Sequence, residues 1–124
     1  MAIPRLATVC LLRPEEVPPS HPDFQVVSVF NPGVAEVEGR VVLLVRVAET
    51  PREHQAGFVG LPRYLPGNPT PQVDWLPESE VEPIDPRVVR LRATGAIRLT
   101  FVSHLRLVWL DHTGMRVESV APTP

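Results

Sequence analysis

Sixteen prolines in 124 residues, against only seven glycines, set the first limit on what this chain can fold into. An interior proline removes a helical hydrogen bond and its ring collides with the preceding turn, so a chain punctuated this often has no room for long helices. What remains is short strands joined by turns. The length is that of one ordinary domain, and 44% hydrophobic with 21% charged residues is the balance of a globular chain, not a coiled coil, a membrane span or a disordered tail. The expected fold class is all-β.

Charge and cysteine content exclude several functions. A net charge of -2, with arginines and acidic residues interspersed, gives no field to hold a polyanion, so nucleic acid is not an expected partner. Cys10 is the sole cysteine, which rules out an internal disulfide and a zinc-ribbon metal site and suits a reducing compartment. The apolar stretch at residues 6–12 follows Pro4 and Arg5, and no small-residue cleavage pattern closes it. The expectation is a cytoplasmic protein without a membrane partner, whose residues 1–23 form an N-terminal arm or edge strand.

Strand-like runs fill the rest. Residues 24–30 (FQVVSVF) stop at Asn31-Pro32-Gly33, and residues 33–37 pair with residue 40 onward across Glu38-Gly39, a two-residue turn. Residues 40–47 (RVVLLVRV) are nearly continuous Val and Leu, which suits a strand buried on both faces. A polar connection at 48–53 leads to a third strand at 54–61 and a fourth at 73–76. The second half follows the same plan. A strand begins at Asp85-Pro86-Arg87, turns at Ala93-Thr94-Gly95 and returns over 96–102; residues 104–110 and 115–120 flank a turn at Asp111-His112-Thr113-Gly114.

The two halves share an Asx-Pro start, a valine three residues later, a glycine-containing turn and an apolar return strand, offset by 54 positions from residue 31 to residue 85. A period of about 50 with four short strands per unit is the signature of β-propeller blades. The expected architecture is therefore two antiparallel four-stranded blades, residues 24–80 and 81–124, of an incomplete propeller. A small sandwich or barrel is the competing account. About three or more repeats are normally needed for stability, so such a chain is expected to belong to a longer one or to complete its sheet stack as a homo-oligomer.

"FNPGVAEVEGRVVLLVRVAE" (residues 30–49), followed by "DPRVVRL" (85–91), resembles the N-terminal part of glycoside hydrolase family 130, the five-bladed propeller β-mannoside phosphorylases and related hydrolases. "RLTFVSHLRLVWLDHTG" (98–114) is similar to the family's strand ending in an Asp-Gly turn. The resemblance covers residues 24–120 and the first two blades of the family's disc. It implies cleavage of a β-mannoside oligosaccharide by phosphate or water. In inverting phosphorolysis one carboxylic acid protonates the leaving oxygen while phosphate attacks the anomeric carbon, so no protein nucleophile and no organic cofactor is needed, only inorganic phosphate as co-substrate. Basic side chains must hold the anion.

By that resemblance Asp85 is the candidate general acid, with Asn31, Arg46 and Arg87 lining the sugar site. One departure stands out: the family's acidic motif is Glu-Asp-Pro-Arg, and here Ile84 precedes Asp85. Some members carry an earlier Asp-Pro-Arg followed by Ser-His-Leu, which Ser103-His104-Leu105 matches. Asp85 would then be a blade-entry residue capping the turn before Pro86, with the acid lying beyond residue 124.

Other residues have competing roles. Arg46 ends an apolar strand and must face a central funnel or a carboxylate; Asn31 also suits an Asx-turn. His54, His104 and His112 share no metal-ligand spacing. Trp75 and Trp109 are of a type that stacks on sugars, though Trp109 sits in an apolar strand. Glu36, Glu38 and Glu49 are expected in solvent. The alternative function is a non-catalytic β-domain that binds carbohydrate or protein through its strand edges.

Overall fold

The computed structural model describes all 124 residues, Met1–Pro124. It is all-β, with nine strands and two single-turn 3-10 segments at Pro14–Glu16 and Glu78–Glu80. No helix is long and apolar enough to cross a membrane. The strands are β1 (Phe24–Val37), β2 (Arg40–Pro51), β3 (Phe58–Arg63), β4 (Gln72–Pro77), β5 (Val81–Asp85), β6 (Val88–Leu91), β7 (Ile97–Leu99), β8 (Val102–Leu110) and β9 (Val117–Val120). They form a four-stranded sheet ordered β1-β2-β8-β9, a β3-β4 pair and a three-stranded β5-β6-β7 sheet, every pairing antiparallel.

The strand pairing crosses the division expected at residue 80. Strand β8 leaves the second half of the sequence and pairs with β2 over Val42↔Trp109 to Glu49↔Val102. Alternation tells which face a strand residue occupies, but not which strand lies beside it. The third strand also begins later than residue 54, because Gly57 turns the chain through positive φ (79°) just before Phe58.

The β1-β2 hairpin follows its turn chemistry. Glu38 and Gly39 both take positive φ (52° and 76°), the pattern of a two-residue turn whose twist matches the flanking strands. Instead of stopping at Asn31, β1 runs through it with a bulge: Phe30 faces Arg46 and Gly33 faces Leu44, three steps against two. Asn31 takes the extra position in left-handed backbone (φ 47°), which asparagine tolerates better than most residues.

The large sheet has one closed and one open face. Directly opposed residues of an antiparallel pair share a face. Leu43, Val45 and Val47 of β2 thus lie with Val108 and Leu110 of β8, and Val17, Leu11 and Leu12 of the arm cover them. The alternate set, Leu44, Arg46, Leu105 and Leu107, lies on the opposite face, where the three leucines are exposed. A second, smaller core of Leu61, Val81 and Val89 joins the β3-β4 pair to the three-stranded sheet. Arg98 of β7 reinforces that joint, donating to the Leu61 carbonyl (3.3 Å) and to Asp74 Oδ2 (3.1 Å). Burial pulls the Asp74 carboxyl upward, but hydrogen bonds from Arg63 and Arg98 outweigh it and hold the group below its ordinary range.

Candidate functional site

Phe30 and Arg46 are cross-strand partners on the open face, and the Arg46 guanidinium lies over the Phe30 ring, 4.6 Å from its centroid. A guanidinium stacked in this way keeps its in-plane N–H donors free. Arg46 has no carboxylate partner; it stands on the open face of the sheet, against Phe30.

Beside Phe30 is a hollow of about 330 Å³, bounded by Val27, Ser28, Phe30, Ala48, Arg87 and Phe101. Arg87 enters it from the Asp85-Pro86-Arg87 turn between β5 and β6. The turn is organised by Asp85, whose Oδ1 accepts the Arg87 backbone N–H at 2.7 Å and whose Oδ2 lies 3.3 Å from Arg87 Nη2. Thr100 fixes the turn from the far side: its N–H donates to the Arg87 carbonyl and its hydroxyl to the Pro86 carbonyl, each at 3.0 Å. The Arg87 side chain remains 75% exposed, so its charge is available to a ligand.

These contacts define what Asp85 can do. The Arg87 N–H, assisted by the Arg87 guanidinium, holds its carboxyl below the ordinary aspartate range. A general acid needs the opposite shift, because it must keep a proton near neutral pH. The hydrogen bonds are those of the turn-capping aspartate. Asn31 is exposed at the bulge next to Phe30, and its distinctive feature is its backbone conformation. The structure therefore brings Arg87 and Phe30 to one hollow, with Arg46 stacked on Phe30, Asp85 behind Arg87 and Asn31 at the rim strand.

The closed face carries a second ionisable cluster that sequence reasoning misses. Glu49, expected in solvent, is fully buried. Its Oε1 accepts the Ser20 N–H at 2.6 Å and its Oε2 accepts the Ser20 hydroxyl. His104 Nδ1 lies 3.8 Å from Glu49 Oε2, and His104 Nε2 is 3.0 Å from Arg106 Nη2. Arg106, also fully buried, donates from Nη1 to the carbonyls of Pro18 (3.0 Å) and Ala121 (3.1 Å), tying the arm to the C-terminal segment. Since Nε2 faces an arginine donor, it must be the acceptor, which places the neutral ring's proton on Nδ1, toward Glu49. Burial pushes His104 below its ordinary value, and Glu49 opposes this only partly. The signal was parity: His104 and Arg106 share the alternation of Val108 and Leu110.

No family model matches the chain. Over 101 residues it is 37% identical to the β-1,2-mannobiose phosphorylase of Listeria innocua serovar 6a, an alignment covering 78% of this chain and 28% of that protein. A solved structure of the Listeria innocua enzyme in complex with β-1,2-mannobiose superposes with a TM-score of 0.76 at 31% identity, covering 90% of this chain and 32% of the other. The chain thus spans about three-tenths of the length of the relatives it matches. With this similarity its antiparallel sheets are those of a partial β-propeller.

Proposed function

From the premise that this chain is glycoside hydrolase family 130-like, we propose that its open-face hollow forms part of a site where a β-mannoside is cleaved and the mannosyl unit passes to inorganic phosphate or to water. The observation that carries the reading is that Phe30 lines one hollow with Arg87 and is itself stacked by the Arg46 guanidinium. An aromatic surface suits the apolar face of a pyranose, and guanidinium forks suit sugar hydroxyls and phosphate oxygens. In the phosphate reaction a phosphate oxygen bonds to the anomeric carbon as the glycosidic C–O bond breaks. As that bond breaks, the leaving oxygen takes a proton from a carboxylic acid.

Asp85 acts in this reading as a positioning residue. Held ionised, it anchors the turn that presents Arg87. An acid must come from a carboxyl whose proton is retained near neutral pH. Asp85→Asn separates the two roles, because the amide oxygen can still accept the Arg87 N–H but the side chain has no acidic proton to give.

The test is formation of mannose 1-phosphate from β-1,2-mannobiose and phosphate. Production by the protein, a strong loss in Arg87→Ala and retained activity in Asp85→Asn are the expected results. Loss of activity in a folded Asp85→Asn variant would return the acid role to Asp85. A second reading, a non-catalytic binding domain, draws on the exposed Leu44, Leu105 and Leu107 of the open face. Binding of mannobiose with no product from either acceptor would favour it.

A further inference from the structure

Trp75 lies outside the Arg87 hollow: Thr100 lines a hollow beside the indole, and its neighbour Phe101 lines the one beside Arg87. It is the cross-strand partner of Gly60, and its six-membered ring lies against the Gly60 backbone. A Cβ at position 60 would meet the ring carbons at 2.8 Å, so glycine is what lets the indole lie across β3. The rest of the ring borders two hollows of about 240 and 440 Å³ that share Trp75, Pro51 and Glu53. The first also presents the exposed Phe58 and His54, with Thr50 and Thr100. An aromatic plate ringed by a carboxylate, an imidazole and hydroxyls has the mixed apolar and hydrogen-bonding character of a small-molecule site.

The local structure holds this arrangement in place. Glu53 Oε1 accepts from Gln55 Nε2 at 2.8 Å, which fixes one wall. Thr50 Oγ1 donates to the Thr100 carbonyl (3.2 Å), and Thr100 is the residue that also braces the Pro86-Arg87 turn. The Trp75 hollow and the Arg87 hollow are thus lined by adjacent residues, Thr100 and Phe101, of one hydrogen-bonded segment.

We propose that Trp75 is the platform of a second saccharide-binding position, which takes one pyranose ring of a β-mannoside oligosaccharide against the indole while Glu53 and His54 bond its hydroxyls. The ligand class rests on the function proposed above, whereas the site itself rests on the Trp75 geometry. The chain has two tryptophans, and the other, Trp109, lies on the large sheet with the Arg40 guanidinium over its ring at 4.7 Å. It serves as an internal reference.

The experiment is titration of the full chain with β-1,2-mannobiose, following the two indole N–H resonances by NMR. A saturable shift of the Trp75 resonance with Trp109 unmoved is expected. Glu53→Ala, on the exposed loop, should weaken the apparent affinity about tenfold, the loss of one hydrogen bond to a charged group. Arg87→Ala should leave the Trp75 shift in place. A Trp75 resonance that stays silent while mannose 1-phosphate is formed overturns this site and leaves the proposed function standing. A Trp75 shift without turnover upholds the site and removes the function. A shift abolished by Arg87→Ala but indifferent to Glu53→Ala also overturns it, since Trp75 would then report only on the other hollow.

Discussion

Strand β2 carries Arg46 and Glu49, and the two side chains meet opposite surroundings. Arg46 stands on the open face against an aromatic ring, with no acid beside it. Glu49 is fully buried on the closed face among Ser20, His104 and Arg106. A strand turns successive residues to opposite faces, so an odd separation is enough to divide the two roles. What differs is the cost of being left alone. An uncompensated charge in the interior is strongly destabilising, whereas a half-buried guanidinium such as that of Arg46 keeps contact with water and can receive a ligand.

The sharpest way to break this comparison is to truncate one member on each face. Glu49→Ala leaves Arg106 buried without its nearby acid and should cost about 3–5 kcal/mol; Arg46→Ala should stay within about 0.5 kcal/mol. Urea denaturation midpoints measure both. Because a buried ion pair replaced by packed apolar groups is often neutral, changing Glu49, His104 and Arg106 together to apolar residues should recover much of the loss. Equal losses for the two single variants would mean that the open face is covered as thoroughly as the closed one.

The closed cluster should also be visible in the pH dependence of stability. His104, only 7% exposed, has a folded pKa below its ordinary value of 6.5, chiefly through burial. The unfolded chain therefore binds a proton before the folded chain does, and stability rises with pH across that interval. Above the unfolded value the contribution is fully present. It is lost as pH falls below 6.5 toward the folded value, where Nε2 would acquire a proton facing the Arg106 donor. Denaturation midpoints should fall over that window, and His104→Gln should flatten the slope. An unchanged slope in that variant would assign the proton uptake to another group.

How much of this was legible depended on the range of the interaction. The Glu38-Gly39 turn is written in adjacent residues, and its positive φ pair follows from them. Asn31, Arg46 and Arg87 were singled out from short motifs, and the hollow gathers around two of these segments. The β2-β8 pairing was not legible, because residues such as Val45 and Arg106 are brought together only by the return of a distant strand. Glu49 was misplaced for the same reason: its charge argued for solvent, and the groups that satisfy it come from the arm and from β8.

The turn offers a test of local against tertiary control. Gly39→Val places a β-branched residue at φ 76°, where an L side chain crowds its own carbonyl, and should cost about 1–2 kcal/mol. No Cβ at Gly39 would meet another atom within 4 Å, so the loss would be backbone strain alone. Gly60→Ala differs in kind: its φ is unremarkable and the obstacle is the Trp75 ring. Near-ultraviolet circular dichroism should change for Gly60→Ala and stay unchanged for Gly39→Val. The same change in both would mean that the turn and the β3-β4 pair are not independent.

The smallest effect is expected from the exposed glutamate-arginine pair on the large sheet. Glu118 of β9 pairs with Arg40 of β2, but their side chains are 53% and 50% exposed, and Arg40 also lies over Trp109. Water already solvates both charges, so their attraction adds little to what solvent gives. Glu118→Ala should therefore cost less than about 1 kcal/mol, and added salt should shrink the difference because exposed charges are screened. Glu49→Ala should show no comparable salt sensitivity, since its surroundings admit no counterion. Glu118 meets its arginine in solvent, whereas Glu49 meets Ser20 and His104 in the interior, so the ratio of their losses compares the two environments. A Glu118→Ala loss as large as that of Glu49→Ala would place the decisive interaction at the sheet edge, where β9 pairs with β8.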